Sequence, residues 1–73
     1  MSKLPSISGR ECIKALEKAG FSMVRQRGSH ISLIRVEPFG QVVVPDHKEL
    51  DRGTLRGIIR MAGLNVEEFL DLL

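Results

Sequence analysis

The sequence predicts an α+β fold, with a helix, a three-stranded antiparallel sheet and two further helices in the order α-β-β-β-α-α. Three observations predict it. Cys12, Ala15, Leu16 and Ala19 repeat at i, i+3, i+4 and i+7, the spacing of one helix face. Two alternating runs meet at Gly28-Ser29, the loop composition of a tight hairpin. A second apolar stripe at helical spacing, Leu55, Ile58, Ile59 and Ala62, follows a third short strand that Pro45 stops. Two amphipathic helices and one half-buried sheet are satisfied when both helices cover the same sheet face, which leaves the other face open.

Taken in order, residues 1–7 form a short lead-in, and Ser8-Gly-Arg-Glu11 fits a capping box, with Ser8 as N-cap and Glu11 reaching back to its N–H. Ile7 and Cys12 stand at hydrophobic-staple spacing, and Ile13 broadens the buried stripe. Cys12 on that stripe reads as inert packing rather than as a nucleophile. Gly20 ends the helix in a left-handed conformation. Residues 21–27 and 30–36 then make the hairpin. A two-residue loop with Gly28 first is a type II′ turn, which sets Arg27 opposite His30, Gln26 opposite Ile31, Arg25 opposite Ser32 and Val24 opposite Leu33. Val24, Ile31 and Leu33 thereby line an apolar face. Residues 37–40 turn the chain, 41–44 supply the third strand, and 46–50 form a polar connection. Asp51 caps the second main helix, Gly63 closes it, and Asn65 with Glu68 caps a short last helix whose Phe69, Leu70, Leu72 and Leu73 are expected to cover the core.

The open face of the hairpin carries the functional reading. Arg25, Arg27, His30 and Ser32 gather there around the turn, and an imidazole beside guanidiniums suits a phosphodiester. RNA cleavage needs a base for the 2′-hydroxyl proton, an acid for the departing 5′-oxygen and positive charge for the developing phosphorane. Histidine, with an ordinary pKa of about 6.5, serves the first two needs, and the arginines serve the third. The bland reading of His30 is a solvated hairpin residue among ordinary edge charges. Met23, Ile34 and Val36 are expected to add apolar area to the same face, as a partner surface would require. His47 is a second candidate for proton transfer, although Asp46, Glu49 and Asp51 around it fit a turn before a helix cap equally well. The same acids with His47 match no metal-loop spacing, so no metal is expected.

Composition narrows the field. The 73 residues are read as one domain, 1–73, too small for a deep substrate cavity. Residues 1–36 hold seven Lys/Arg against two Glu, and residues 37–73 hold four against seven acids, so a polyanion should meet the first half. A single cysteine forms neither an intrachain disulfide nor a zinc knuckle, and no apolar run is long enough to span a membrane; a reducing cytoplasm is the expected compartment. With no Tyr or Trp, the sheet lacks the stacking platform of an RNA-recognition or oligonucleotide-binding fold. A helix-turn-helix over residues 55–73 would present Glu67, Glu68 and Asp71 to phosphate. A non-catalytic double-stranded-RNA module is the alternative that stays open.

Ala19-Gly-Phe21, Val24-Arg-Gln-Arg-Gly-Ser-His30, Val44-Pro45, His47 and Gly53-Thr-Leu-Arg-Gly-Ile-Ile59 followed by Ala62-Gly-Leu64 resemble the HicA (YcfA-like) toxin family over nearly the whole chain. The resemblance implies a double-stranded-RNA-binding-domain-like (dsRBD-like) fold. It implies an mRNA interferase of a toxin-antitoxin system: a metal-independent endoribonuclease, without cofactor, that arrests translation and is neutralised by a HicB-type antitoxin. It places the catalytic histidine at His30. Arg25, Arg27, Ser29, Ser32, Lys48 and Arg56 are the expected RNA contacts, with His47 as the secondary catalytic candidate. The family often carries a longer Gly- and Lys-bearing loop after its Pro-x-His, whereas residues 46–51 run directly to the next helix.

Overall fold

The computed structural model describes residues 3–73; Met1 and Ser2, the start of the expected lead-in, lie outside the described residues. The elements are α1 (Gly9–Lys18), β1 (Ser22–Arg27), β2 (His30–Arg35), β3 (Gly40–Pro45), α2 (Arg52–Met61) and α3 (Val66–Leu72). This is the α+β order read from the sequence.

Helix α1 starts where the capping box places it. Ser8 Oγ accepts from the Glu11 N–H at 3.0 Å, and the Glu11 carboxylate accepts from the Ser8 N–H at 2.9 Å. Gly9, its first residue, is buried against the end of β3: its N–H donates to the His47 carbonyl at 2.9 Å, and a Cβ there would run into the Pro45 carbonyl oxygen. Only glycine permits that approach. Gly20 ends the helix at φ +100°.

The sheet order is β1-β2-β3, antiparallel throughout. Gly28 has φ +59° and Ser29 is not at positive φ, the combination of a type II′ turn. Arg27 pairs with His30, Gln26 with Ile31 and Arg25 with Ser32, as the two-residue loop requires. The next expected pair fails. Leu33 pairs with Met23, because Val24 is the extra residue of a β-bulge. Val24 is 55% exposed rather than part of the apolar face, and Met23, opposite Leu33, leaves the face on which it was expected. Val36 lies beyond β2 in the turn. The apolar residues of the open face are Ile34 and Val43 instead, since Val43 pairs with Ser32.

Ile31, Leu33, Val42 and Val44 form the buried side of the sheet and meet Cys12, Ile13, Leu16, Leu55, Ile58, Ile59 and Phe69 from the helices. Two segments read as a short lead-in and a polar connection also join the core. Leu4 and Ile7 of the lead-in and Leu50 of the 46–50 connection are buried, and the Leu50 N–H donates to the Ile7 carbonyl at 2.8 Å. A buried leucine contributes about 1.5–3 kcal/mol, so these residues matter in a chain this small. The connection is thus polar at its start and apolar at its end.

Asp51 caps α2 through the Thr54 N–H at 2.7 Å, and Asn65 with Glu68 forms the capping box of α3. Phe69 is buried and Leu72 packs against the core, whereas Leu70 is half-buried and Leu73 is exposed. The last turn therefore covers less of the core than its composition predicts. Among the described residues no helix is long and apolar enough to cross a membrane.

Candidate nucleic-acid interface

The β1–β2 hairpin and the end of β3 build the candidate site. Alternation puts Arg25, Arg27, His30 and Ser32 on the sheet face opposite Ile31 and Leu33, hence away from the helical layer. Arg27 lies directly across from His30, and Pro45 lies across from it on the other side. The Asp46 N–H donates to the Ser29 carbonyl at 2.6 Å, which ties the turn to the end of β3. Gln26, on the other face, braces the turn by donating from Nε2 to the Gly28 carbonyl at 3.1 Å. The turn is held at both ends.

The candidate side chains themselves are uncommitted. Arg25, Arg27 and His30 are exposed, and their side chains have no hydrogen-bond or ion-pair partner among the described residues. Their donors are available to a ligand, and binding displaces no internal contact. The neighbouring acid behaves differently. Arg10 grips Asp46 with both arms of its fork, Nε to Oδ1 and Nη2 to Oδ2, each at 3.2 Å. That pairing screens the carboxylate nearest the Pro45 end of the site, so the hairpin cations act on an approaching anion with little opposition.

The remaining expected contacts divide into two groups. Ser29 in the turn, and His47 and Lys48 just beyond Pro45, are exposed at the same end of the sheet as His30. The His47 carbonyl is held by Gly9, while its side chain is exposed. Arg56 belongs to α2, which packs on the other sheet face; it is exposed there and is not brought to the His30 face. No group of three His, Cys, Asp or Glu among the described residues is arranged to hold a metal ion. Cys12 is fully buried, and burial pushes its thiol up to about 12, so it is protonated and unreactive.

The Arg10–Asp46 pair escaped sequence reading. Its partners are 36 residues apart, and either alone reads as an ordinary surface charge.

A family model described as the HicA toxin of bacterial toxin-antitoxin systems matches residues 9–64. The chain belongs to the HicA toxin family. Comparison with curated proteins finds no match. The matched span runs from the first residue of α1 to the Leu64 that follows Gly63, and it includes the whole hairpin, His30, His47 and the Arg10–Asp46 pair. Helix α3 lies beyond it. As a HicA toxin of a toxin-antitoxin system, the chain has a cognate antitoxin as its implied partner.

Proposed function

We propose that this HicA-family chain is a metal-independent endoribonuclease that cuts mRNA at the hairpin face and arrests translation, with His30 as its catalytic residue. The observation that supports the reading best is the pairing of Arg27 with His30 on an open sheet face, with Arg25 beside Ser32 on the same face and none of the cations already paired. An RNA phosphate resting on Arg25 and Arg27 brings its 2′-hydroxyl to the imidazole. His30 takes that proton, the 2′-oxygen forms its bond to phosphorus, and the bond from phosphorus to the 5′-oxygen breaks. The 5′-oxygen leaves as a hydroxyl, protonated from solvent or, in a two-histidine form, by His47. The arginines stabilise the phosphorane charge. Ser29, Ser32 and Lys48 add contacts along the strand, with Arg56 as an outlying one.

A HicB-type antitoxin neutralises the chain in this reading by covering the same face, where Ile34 and Val43 supply apolar area inside a basic rim. Cytoplasmic mRNA is the substrate.

The test is incubation of the purified chain with end-labelled RNA in excess EDTA. Cutting should persist, and the new ends should carry 2′,3′-cyclic phosphate or 3′-phosphate. Cutting that stops in chelator and returns with magnesium overturns the metal-free chemistry. Salt-sensitive binding of duplex RNA without any cutting would instead favour a non-catalytic module.

A further inference from the structure

The free edge of β3 lies across the sheet from the β1 edge and borders the His30 face, with Val43 shared between the two. Because the sheet order is β1-β2-β3, β3 has a neighbour on one side only. The two-residue hairpin makes Arg27 and His30 a hydrogen-bonded pair, so Ile31, Leu33 and Arg35 direct their backbone groups to Val44, Val42 and Gly40. The bond from the Asp46 N–H to the Ser29 carbonyl follows the same alternation. Gln41 and Val43 consequently direct their N–H and C=O groups outward. Pro45 has no N–H to offer and limits any added strand to this upstream part.

The other edge of the sheet is defended. Strand β1 carries Arg25 and Arg27 and is broken by the Val24 bulge, both of which oppose pairing with another chain. Residues 41–44 of β3, Gln-Val-Val-Val, have neither a charge nor a bulge.

A groove of about 470 Å³ runs along this undefended edge, between Gln41 and Val43 on one side and Thr54, Gly57, Arg60 and Met61 of α2 on the other. Val43 is 46% and Met61 65% exposed, and the space where Gly57 would carry a Cβ is empty. Arg56 and Arg60 stand exposed on α2, which contains no acid, and neither has a partner among the described residues.

We propose that this edge and groove take an extended, acid-bearing peptide segment of a protein partner, which adds to the sheet as a fourth strand. Its backbone pairs with Gln41 and Val43, its apolar side chains lie against Val43 and Met61, and its carboxylates face Arg56 and Arg60. A second copy of the chain fits poorly, because edge-to-edge pairing brings the same arginines together. RNA fits poorly as well, since Arg60 is the single charge among the residues that line the groove, most of which are apolar, and the chain has no Tyr or Trp for base stacking. The proposal does not depend on the nuclease reading.

The test uses the full chain labelled with ¹⁵N and a short capped peptide of alternating valine and glutamate, added up to about 1 mM, with the valine-lysine peptide as control. Amide shifts and slowed hydrogen exchange should appear at Gln41 and Val43, with shifts at Gly57 to Met61 and none at Arg25 to His30. The lysine peptide should bind at least about tenfold more weakly. Gly57→Gln fills the groove while raising helix propensity, so it should weaken peptide binding by about tenfold without lowering Tm. Met61→Glu, at an exposed position, should weaken it similarly. The proposal is overturned if the 41–43 amides do not respond, if the shifts fall on the hairpin, if a single-stranded RNA oligonucleotide moves the same amides equally, or if the chain alone dimerises through this edge.

Discussion

Replacing Arg35 with alanine should destabilise the fold more than any other single change of an exposed or half-buried charge. Its guanidinium donates from Nε to the Pro38 carbonyl at 2.9 Å, from Nη1 to the Ala19 carbonyl at 3.2 Å and from Nη2 to the Ala62 carbonyl at 3.1 Å. Its Cζ lies 4.6 Å from the centre of the Phe21 ring. Ala19 and Ala62 are the C-caps of α1 and α2, so one cation joins the negative ends of both helices to the sheet. A hydrogen bond to a charged group is worth about 1.5–3 kcal/mol alone, but three on one side chain share a single desolvation and are not additive. Counting roughly 1 kcal/mol for each carbonyl that loses its donor and about 0.5–1 kcal/mol for the ring contact gives about 3–4 kcal/mol. For a domain of this length that corresponds to a fall in Tm of roughly 12–30 °C. Urea unfolding followed by circular dichroism measures it. Arg35→Lys, which keeps the charge but loses the fork, should recover less than half. An Arg35→Ala protein within about 0.5 kcal/mol of wild type would refute the bridging role, since that is the range of ordinary surface substitutions.

Three further outcomes follow from the same geometry. Gly9→Ala should strongly lower Tm and disturb the His47 backbone, because its Cβ meets the Pro45 carbonyl; an unchanged melting curve and unchanged His47 amide shift would contradict the close packing. The Asp51 carboxyl is held below its ordinary value chiefly by the backbone N–H of Thr54 and then by the Thr54 hydroxyl, so its cap contribution is complete above about pH 3.9 and is lost as pH falls through the lower folded value. Melting curves between pH 5 and pH 2, compared with Asp51→Asn, should show that part of the acid dependence missing in the variant. Cys12 should resist iodoacetamide in the native chain at pH 8 and react once urea is added; fast native labelling would contradict its burial.

Local chemistry was legible and long-range chemistry was not. The Ser8–Glu11 and Asn65–Glu68 capping boxes, the Asp51 cap, the positive-φ glycines at 20 and 28 and the helix end at Gly63 each rest on residues within a few positions of one another, and all appear as read. The hairpin register is correct as far as the turn controls it. It fails at Val24, because a bulge inserts one residue without disturbing composition or alternation near the loop. Arg35 reads as one more strand cation, since its carbonyl partners are 16 and 27 residues away, and Leu4 and Leu50 read as loop residues until tertiary packing covers them. For the candidate site, the grouping of Arg25, Arg27, His30 and Ser32 was readable from the turn alone. The separate location of Arg56 follows from the same reading, since a helix on the apolar sheet face holds its arginines away from His30, and the expectation of Arg56 as an RNA contact beside the hairpin did not follow that placement through.

The proposed chemistry depends most directly on His30. Single-turnover cleavage of one labelled RNA, measured beside RNA affinity and Tm for wild type and His30→Ala, tests it. His30 is exposed and its side chain hydrogen-bonds to nothing else among the described residues, so the variant should melt within about 0.5 kcal/mol of wild type. Its RNA affinity should stay close to wild type, because Arg25 and Arg27 remain. The cleavage rate should fall by about 10² to 10⁴, the usual contribution of general acid-base catalysis. A folded, RNA-binding His30→Ala chain that cuts at the wild-type rate would contradict the assignment of His30 as the catalytic residue.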